Sequence, residues 1–223
     1  MNEDFTIYDA DYFLHGRQTG KSLYEDYRWM PELTIPMARA MARGLGIAEG
    51  QTILDFGCAR GYTVKAFREI GYEAYGVDAS QWAIDNCDPT VKGFVTCTQA
   101  LPPAMDWIIA KDVLEHVREA PAVIADMLDS AREGVFVVVP LSAADGQPYI
   151  VPSYEADVTH IHRLTLATWV KMFLDQCGAR WKIEAAYRFR GVKENYHGWA
   201  TWVQGNYENW ERGNGFITAR RIK

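Results

Sequence analysis

The chain has 223 residues, 48% hydrophobic and 23% charged, which is ordinary globular usage, argues against disorder for its bulk and leaves room for one full core. The formal charge of -6 is spread along the sequence rather than blocked, so the average surface repels polyanions and disfavours nucleic acid as a partner. No run approaches the roughly 18 apolar residues of a membrane span. Met1-Asn2-Glu3-Asp4 also lacks the basic-then-apolar layout of a secretory signal. Cys58, Cys87, Cys97 and Cys177 form neither a C-x-x-C pair nor a zinc spacing, and read as free thiols of a cytoplasmic protein.

Residues 1–32 are aromatic and polar without a clear period, with Tyr8, Tyr12, Phe13, Tyr24, Tyr27 and Trp29 among Asp, Arg and Gly. They read as an ordered extension, and Tyr24, Arg28 and Trp29 are candidates for a lid, with Arg28 reaching a ligand carboxylate. Gly16-Arg17-Gln18-Thr19-Gly20-Lys21-Ser22 only superficially suggests a phosphate loop. The first glycine of G-x-x-x-x-G-K-S would fall at His15, and no buried strand precedes it.

From Leu33 to Leu45, Met37, Met41 and Leu45 recur on one helical face. Thr52–Phe56 is a short apolar run that suits a buried strand. Val64, Phe67 and Ile70 follow at helical spacing, closed by Gly71. Ala74–Asp78 is a second strand, and Ser80 caps a short helix through Ile84. Strands are expected at Gly93–Cys97, Trp107–Ala110 and Val135–Val139, with a helix from Ala120 to Arg132 before the last. Leu166, Trp169, Val170, Phe173, Leu174 and Cys177 give an amphipathic helix over 165–177. Two further strands, Lys182–Phe189 and Gly215–Ile222, flank an aromatic segment around Trp199, Trp202, Tyr207 and Trp210. Arg188, Arg190 and Lys193 read equally as a small basic patch or a solvated strand end.

This alternation implies βαβ units, hence a Rossmann-like, doubly wound, mostly parallel sheet with helices on both faces and an N-terminal aromatic extension. One domain spans 1–223, its core from about residue 33. Ligands of such sheets bind beyond the carboxyl ends of the strands, near the switch in strand order.

The first strand ends Ile53-Leu54-Asp55-Phe56-Gly57-Cys58-Ala59-Arg60-Gly61-Tyr62. Gly57 and Gly61 permit a tight turn and close backbone approach, and the helix near Tyr62 offers unpaired N–H groups. Asp55 suits a ligand with cationic groups better than a pyrophosphate. Asp78, ending the second strand, can accept from both ribose hydroxyls of an adenosine. Each acid alone also reads as a turn or cap residue. Their phase across a glycine loop makes the pair informative.

ILDFGCARGYTVKAF, then GYEAYGVDAS and AKDVLEHV, resembles class I S-adenosylmethionine-dependent methyltransferases, most of all the subgroup whose loop reads G-C-A-K-G. DVTHIHRLTLATWVKMF is similar to a D-P-T-H segment before a Trp-containing helix in some of these enzymes. The resemblance spans roughly residues 50 to 178 and implies S-adenosylmethionine contacts at Asp55, Gly57, Cys58, Ala59, Gly61, Asp78 and Ala79. It also implies Gln99 and Ala100 near the adenine, and Lys111 and Asp112 near the methionine end. Ala59 replaces the middle glycine common in the wider family and narrows the loop.

Asp112-Val113-Leu114-Glu115-His116 follows the fourth strand, where an acceptor would meet the methyl group. Positioning can supply much of the rate of such a transfer. A hydroxyl acceptor must also lose a proton, and His116 is the first candidate base. A similar acid-x-x-Glu-His pattern holds a divalent metal in some quinone-pathway O-methyltransferases, which makes Asp112, Glu115 and His116 a possible metal set; the plain alternative is the start of a helix. Asp157, His160 and His162 form a second polar cluster. In an extended segment the two histidines would share a face, to line the acceptor pocket, assist proton removal or bind a metal. A loop-stabilising role is the alternative, and the resemblance ranks His160 above His162.

The expected activity is methyl transfer to a small-molecule or glycan-like acceptor, at oxygen. A nicotinamide-dependent oxidoreductase is the rival, although Gly57-x-x-x-Gly61 is not G-x-G-x-x-G. A non-catalytic cofactor-binding module is the third reading.

Overall fold

The computed structural model describes residues 5–193 and 212–222, so the aromatic segment around Trp199, Trp202, Tyr207 and Trp210 lies outside the described residues. The aperiodic N-terminal stretch forms a 3-10 turn at Phe5–Ile7, then α1 (Ala10–Leu14) and α2 (Gly16–Thr19). Asp9 starts α1 by accepting from the Tyr12 N–H, and Lys21, from the phosphate-loop lookalike, is ion-paired to Asp9 at 2.8 Å. Next come α3 (Pro31–Leu45), β1 (Thr52–Phe56), α4 (Tyr62–Glu69), β2 (Glu73–Asp78) and α5 (Gln81–Asp85). They are followed by β3 (Val95–Cys97), β4 (Met105–Lys111), α6 (Ala120–Ser130), β5 (Ala131–Pro140), α7 (Leu166–Cys177), β6 (Trp181–Ala186) and β7 (Asn214–Arg221). Ser80 caps α5 by accepting from the Ala83 N–H, as its position predicts.

The strands form one sheet in the order β3-β2-β1-β4-β5-β7-β6. β1 to β5 pair in parallel, and β7 runs antiparallel to β5 and β6. The chain leaves β1 toward β2 on one side and later returns to β4 on the other, so the switch in strand order lies between β1 and β4.

Strand alternation divides the core into two layers. Leu54, Phe56, Ile108, Ala110, Val135, Val137 and Val139 point to one face and pack against Ile124, Met127 and Leu128 of α6 and Trp169 and Phe173 of α7. Ile53, Trp107, Ile109, Phe136 and Val138 point to the other, against Met37, Met41 and Leu45 of α3 and Val64 and Phe67 of α4. Burial on both faces explains why the central strands read as continuous apolar runs.

Several element ends differ from the sequence reading: α6 stops at Ser130 rather than Arg132, β5 begins at Ala131 rather than Val135 and β4 runs from Met105 to Lys111, and two further strand ends have a clear cause. β3 begins at Val95 because Phe94 closes a turn onto Val91. β6 ends at Ala186, not Phe189, because the Phe189 ring turns into the α3 layer, 4.8 Å from Phe136.

Gly134 lies opposite Trp107 in the β4–β5 register, and a Cβ there would come within 2.2 Å of the indole. The missing side chain is the slot that receives the ring. Gly134→Ala is expected to lower stability by about 1–3 kcal/mol in urea unfolding, and Trp107→Leu in the same chain to recover part of that loss. Additive losses would contradict a steric cause.

Candidate active site

A cavity of about 560 Å³ opens beyond the carboxyl ends of β1, β2 and β4, within the volume range of small-molecule sites. Its first wall is the loop from Phe56 to Tyr62. Gly57 (φ 79°), Ala59 (φ 48°) and Gly61 (φ 78°) all adopt left-handed backbone. A Cβ on Gly57 would strike Val113 at 2.4 Å, and one on Gly61 would meet Val91 at 2.8 Å. Both glycines are therefore demanded by conformation and by packing within the protein. Ala59 adopts the same backbone region at a strain cost of roughly 1 kcal/mol.

Asp78 pins this loop. Its Oδ2 accepts from the Ala59 N–H at 2.7 Å and its Oδ1 from the Ser80 N–H at 2.7 Å. Burial pushes the carboxyl up and those backbone donors pull it back. Two bonds leave lone pairs on both oxygens for ligand hydroxyls. Asp55 is 4% exposed at the end of β1. Burial raises its pKa to about 7, with the Lys111 cation pulling down and Asp78 pushing up. Such an acid is poised to ionise against a cationic group.

The floor is made by β4's end. Lys111 pairs with Asp112 at 2.7 Å, and the buried Lys193 ammonium donates to the other Asp112 oxygen. Burial acts to raise Asp112, but Lys111 and Lys193 overcome it and hold the carboxyl well below the usual range. Lys193 also donates to Asn214 Oδ1 at 2.9 Å, tying the floor to β7. Asp112 sits at φ 58°, another strained position at the cavity.

The far wall joins the 3-10 turn Leu114–His116 to the segment 157–162, whose Ile161 and His162 N–H groups donate to the Glu115 carbonyl. Thr159 Oγ1 donates to Asp157 Oδ1 at 2.5 Å and lies 2.7 Å from His116 Nδ1. One hydroxyl carries one proton, so His116 Nδ1 is the donor in the second bond and Nε2 keeps its lone pair. Burial first, then the His160 ring, lowers His116 to about 4. Burial and then Asp112 push Glu115 far up.

The N-terminal segment roofs the cavity. Tyr12 donates to Asp157 Oδ2 at 2.6 Å, Ser80 Oγ donates to the Tyr8 carbonyl, and Arg60 donates to the Tyr27 carbonyl. Tyr8 stands edge-on to His116, and Phe13 stacks on Trp82. Tyr24 and Arg28 line the cavity, with Arg28 paired to Asp26 at 2.7 Å, whereas Trp29 packs on Tyr62 and Lys65 outside it.

Of the residues singled out in the sequence, Asp55, Gly57, Cys58, Ala59, Asp78, Ala79, Gln99, Lys111, Asp112, Glu115, His116 and His160 line this cavity. Gly61 and Ala100 lie outside the lining. His162 does not share a face with His160: its Nε2 lies 2.8 Å from the Val117 carbonyl and its ring packs on Trp169. Asp112 faces its two lysines rather than a common centre with Glu115 and His116. Lys193, read as a basic strand end, and the roof tyrosines Tyr8 and Tyr12 are functional candidates that no local pattern assigns to the site.

Because folded Asp55 binds its proton more tightly than an ordinary carboxyl, the folded state keeps a proton the unfolded chain has lost between about pH 4 and 7. Stability therefore falls as pH rises through that window, by at most about 4 kcal/mol from this group. Asp55→Asn is expected to melt higher than the parent chain at pH 8 and to lose that advantage at pH 4, by thermal unfolding at both. An equal difference at the two pH values would contradict the assignment.

A family model described as a methyltransferase domain matches residues 31–183. No curated protein matches the sequence. The fold is similar to that of the plantazolicin methyltransferase BamL, solved with a triazolic desmethylPZN analogue and SAH (TM-score 0.64, 11% identity, 86% of this chain and 85% of that one). It is also similar to a putative methyltransferase from an antibiotic biosynthesis pathway of Anabaena variabilis (0.58, 14%, 85% and 99%). A third similar structure is the cyclase SpnF (0.56, 18%, 83% and 80%). With the family model covering most of the sheet and both acids of the loop, the chain belongs to the methyltransferase-domain family.

Proposed function

We propose that the chain is an S-adenosylmethionine-dependent methyltransferase that acts at oxygen on a small-molecule or glycan-like acceptor. The observation that carries this reading is the pair of acids, buried Asp55 and half-buried Asp78, that line one cavity together with Glu115, His116 and His160. When bound, the donor supplies an electrophilic methyl group on a sulfonium centre.

The chain's own residues fit that molecule. Asp78 has lone pairs left for the ribose hydroxyls, and Asp55, half-ionised near neutrality, favours the cationic amino group. Gly57 and Ala59 line the cavity in left-handed backbone, where their small size would let a ligand approach the loop closely. The resemblance assigns Lys111 and Asp112 to the methionine end, and both line the same cavity. Tyr8, Tyr12 and Phe13 line the same cavity with aromatic rings, and the lower local dielectric they provide would strengthen each of these contacts. The acceptor oxygen would sit against Glu115, His116 and His160; as it takes the methyl, that wall receives its proton. Holding both partners in line is the main contribution expected of the protein.

Calorimetry with S-adenosylmethionine and S-adenosylhomocysteine tests the donor half. Binding of both is expected, with Asp78→Ala weakening each about 10- to 100-fold as charge-assisted ribose bonds are lost. A folded chain that binds neither, or an Asp78→Ala variant that binds as well as its parent, would remove the proposal. Transfer of labelled methyl to members of a panel of hydroxylated small molecules and oligosaccharides tests the acceptor half.

A further inference from the structure

Glu115 is fully buried, yet among the described residues neither of its carboxylate oxygens has a hydrogen-bond partner. Leaving such a group without a partner costs at least the desolvation of a polar atom. Protonation alone does not relieve it, because a protonated carboxyl still needs an acceptor for its O–H. His116 Nε2 and His160 Nε2 each lie 4.0 Å from Oε1. The two imidazole rings face one another with centroids 4.6 Å apart, and one ligand atom from each of the three residues lies within 4.8 Å of the others. A point between them is roughly 2.5 Å from each, against 2.0–2.2 Å for zinc–nitrogen and zinc–oxygen bonds, a gap that small side-chain rotations close.

We propose that Glu115, His116 and His160 form a binding site for a divalent first-row transition metal ion in the wall of the cavity. Two nitrogens and one oxygen suit zinc, iron(II), cobalt(II) or manganese(II) rather than calcium or magnesium, which prefer all-oxygen shells. The surroundings already orient a ligand. Thr159, itself fixed by Asp157, holds the Nδ1–H of His116 so that the Nε2 lone pair faces Glu115, the arrangement usual behind metal-bound histidines. Asp157 Oδ2 lies 4.0 Å from His160 Nε2 and adds negative charge beside the site. Asp112 is not a member, because Lys111 and Lys193 occupy it. All three ligands line the cavity, so the open coordination positions face the space assigned above to the acceptor. An ion there would hold an acceptor oxygen and lower the pKa of its hydroxyl, so that the proton would leave to solvent as the oxygen takes the methyl, in place of direct uptake by the histidine wall. The site itself is a property of these side chains and stands whether or not the donor assignment holds.

The test is cobalt(II) chloride titrated into the tag-free, EDTA-stripped chain, followed by visible absorption, with zinc sulfate as competitor. One equivalent is expected, with ligand-field bands that zinc abolishes. Glu115→Gln and His160→Ala are expected to weaken binding at least 100-fold, and His15→Ala, at an exposed position, to leave it unchanged. Failure to bind one equivalent, or equal binding by the parent and the site variants, would overturn the proposal. Should either variant fail to fold, imidazole nitrogen NMR of the parent chain decides: zinc is expected to shift His116 and His160, and shifts confined to other histidines refute the site. Donor calorimetry with and without zinc separates this result from the donor reading.

Discussion

The cavity depends on one carboxylate accepting two backbone hydrogens. Asp78, at the end of β2, bonds the Ala59 N–H of the loop after β1 and the Ser80 N–H that begins α5. Those bonds hold Ala59 in a left-handed conformation it would not choose and fix the spacing between two parallel strand ends. The loop then cannot relax toward the sheet, and Asp55 stays buried beside it with its ionisation suppressed. A strained loop and a half-protonated acid are costs to the unliganded fold, the kind concentrated where a ligand supplies the compensation.

The opposite wall is built differently. Its contacts join segments far apart in sequence: Tyr12 to Asp157, His116 to Thr159, and the Glu115 carbonyl to the 161–162 backbone. None belongs to the sheet, and each depends on loops or on the N-terminal roof. This is where relatives with one architecture can diverge. Proteins of similar fold at 11–18% identity include methyltransferases and a cyclase, so the architecture does not by itself fix the reaction. Acceptor chemistry must be read from the side chains of this wall.

The sheet was largely legible in the sequence because burial on both faces forces apolar runs, and because Gly71 and Ser80 mark helix ends by mechanisms that act locally. The acids Asp55 and Asp78 were legible for a related reason: strand phase alone carries them to adjacent ends. The reading lost accuracy where tertiary contacts override local pattern. Phe189 continues an apparently regular strand but turns to pack on Phe136. Lys193 looks like a solvated cation yet is buried against Asp112, and His160 and His162 alternate in sequence but face different partners. The N-terminal aromatics lack a period because short helices and loops fold Tyr8, Tyr12, Phe13, Tyr24 and Tyr27 into a cluster of their own with Trp82, rather than along one face of a single element.

The account stands on two acids at neighbouring strand ends gripping one adenosyl molecule between them. A crystal structure of the chain soaked or grown with S-adenosylhomocysteine tests this most directly. The account expects the ribose hydroxyls within hydrogen-bond distance of Asp78 and the amino group on the Asp55 side, under the Tyr8 and Tyr12 roof. Ligand density elsewhere on the protein, or a ribose turned away from Asp78, would contradict it.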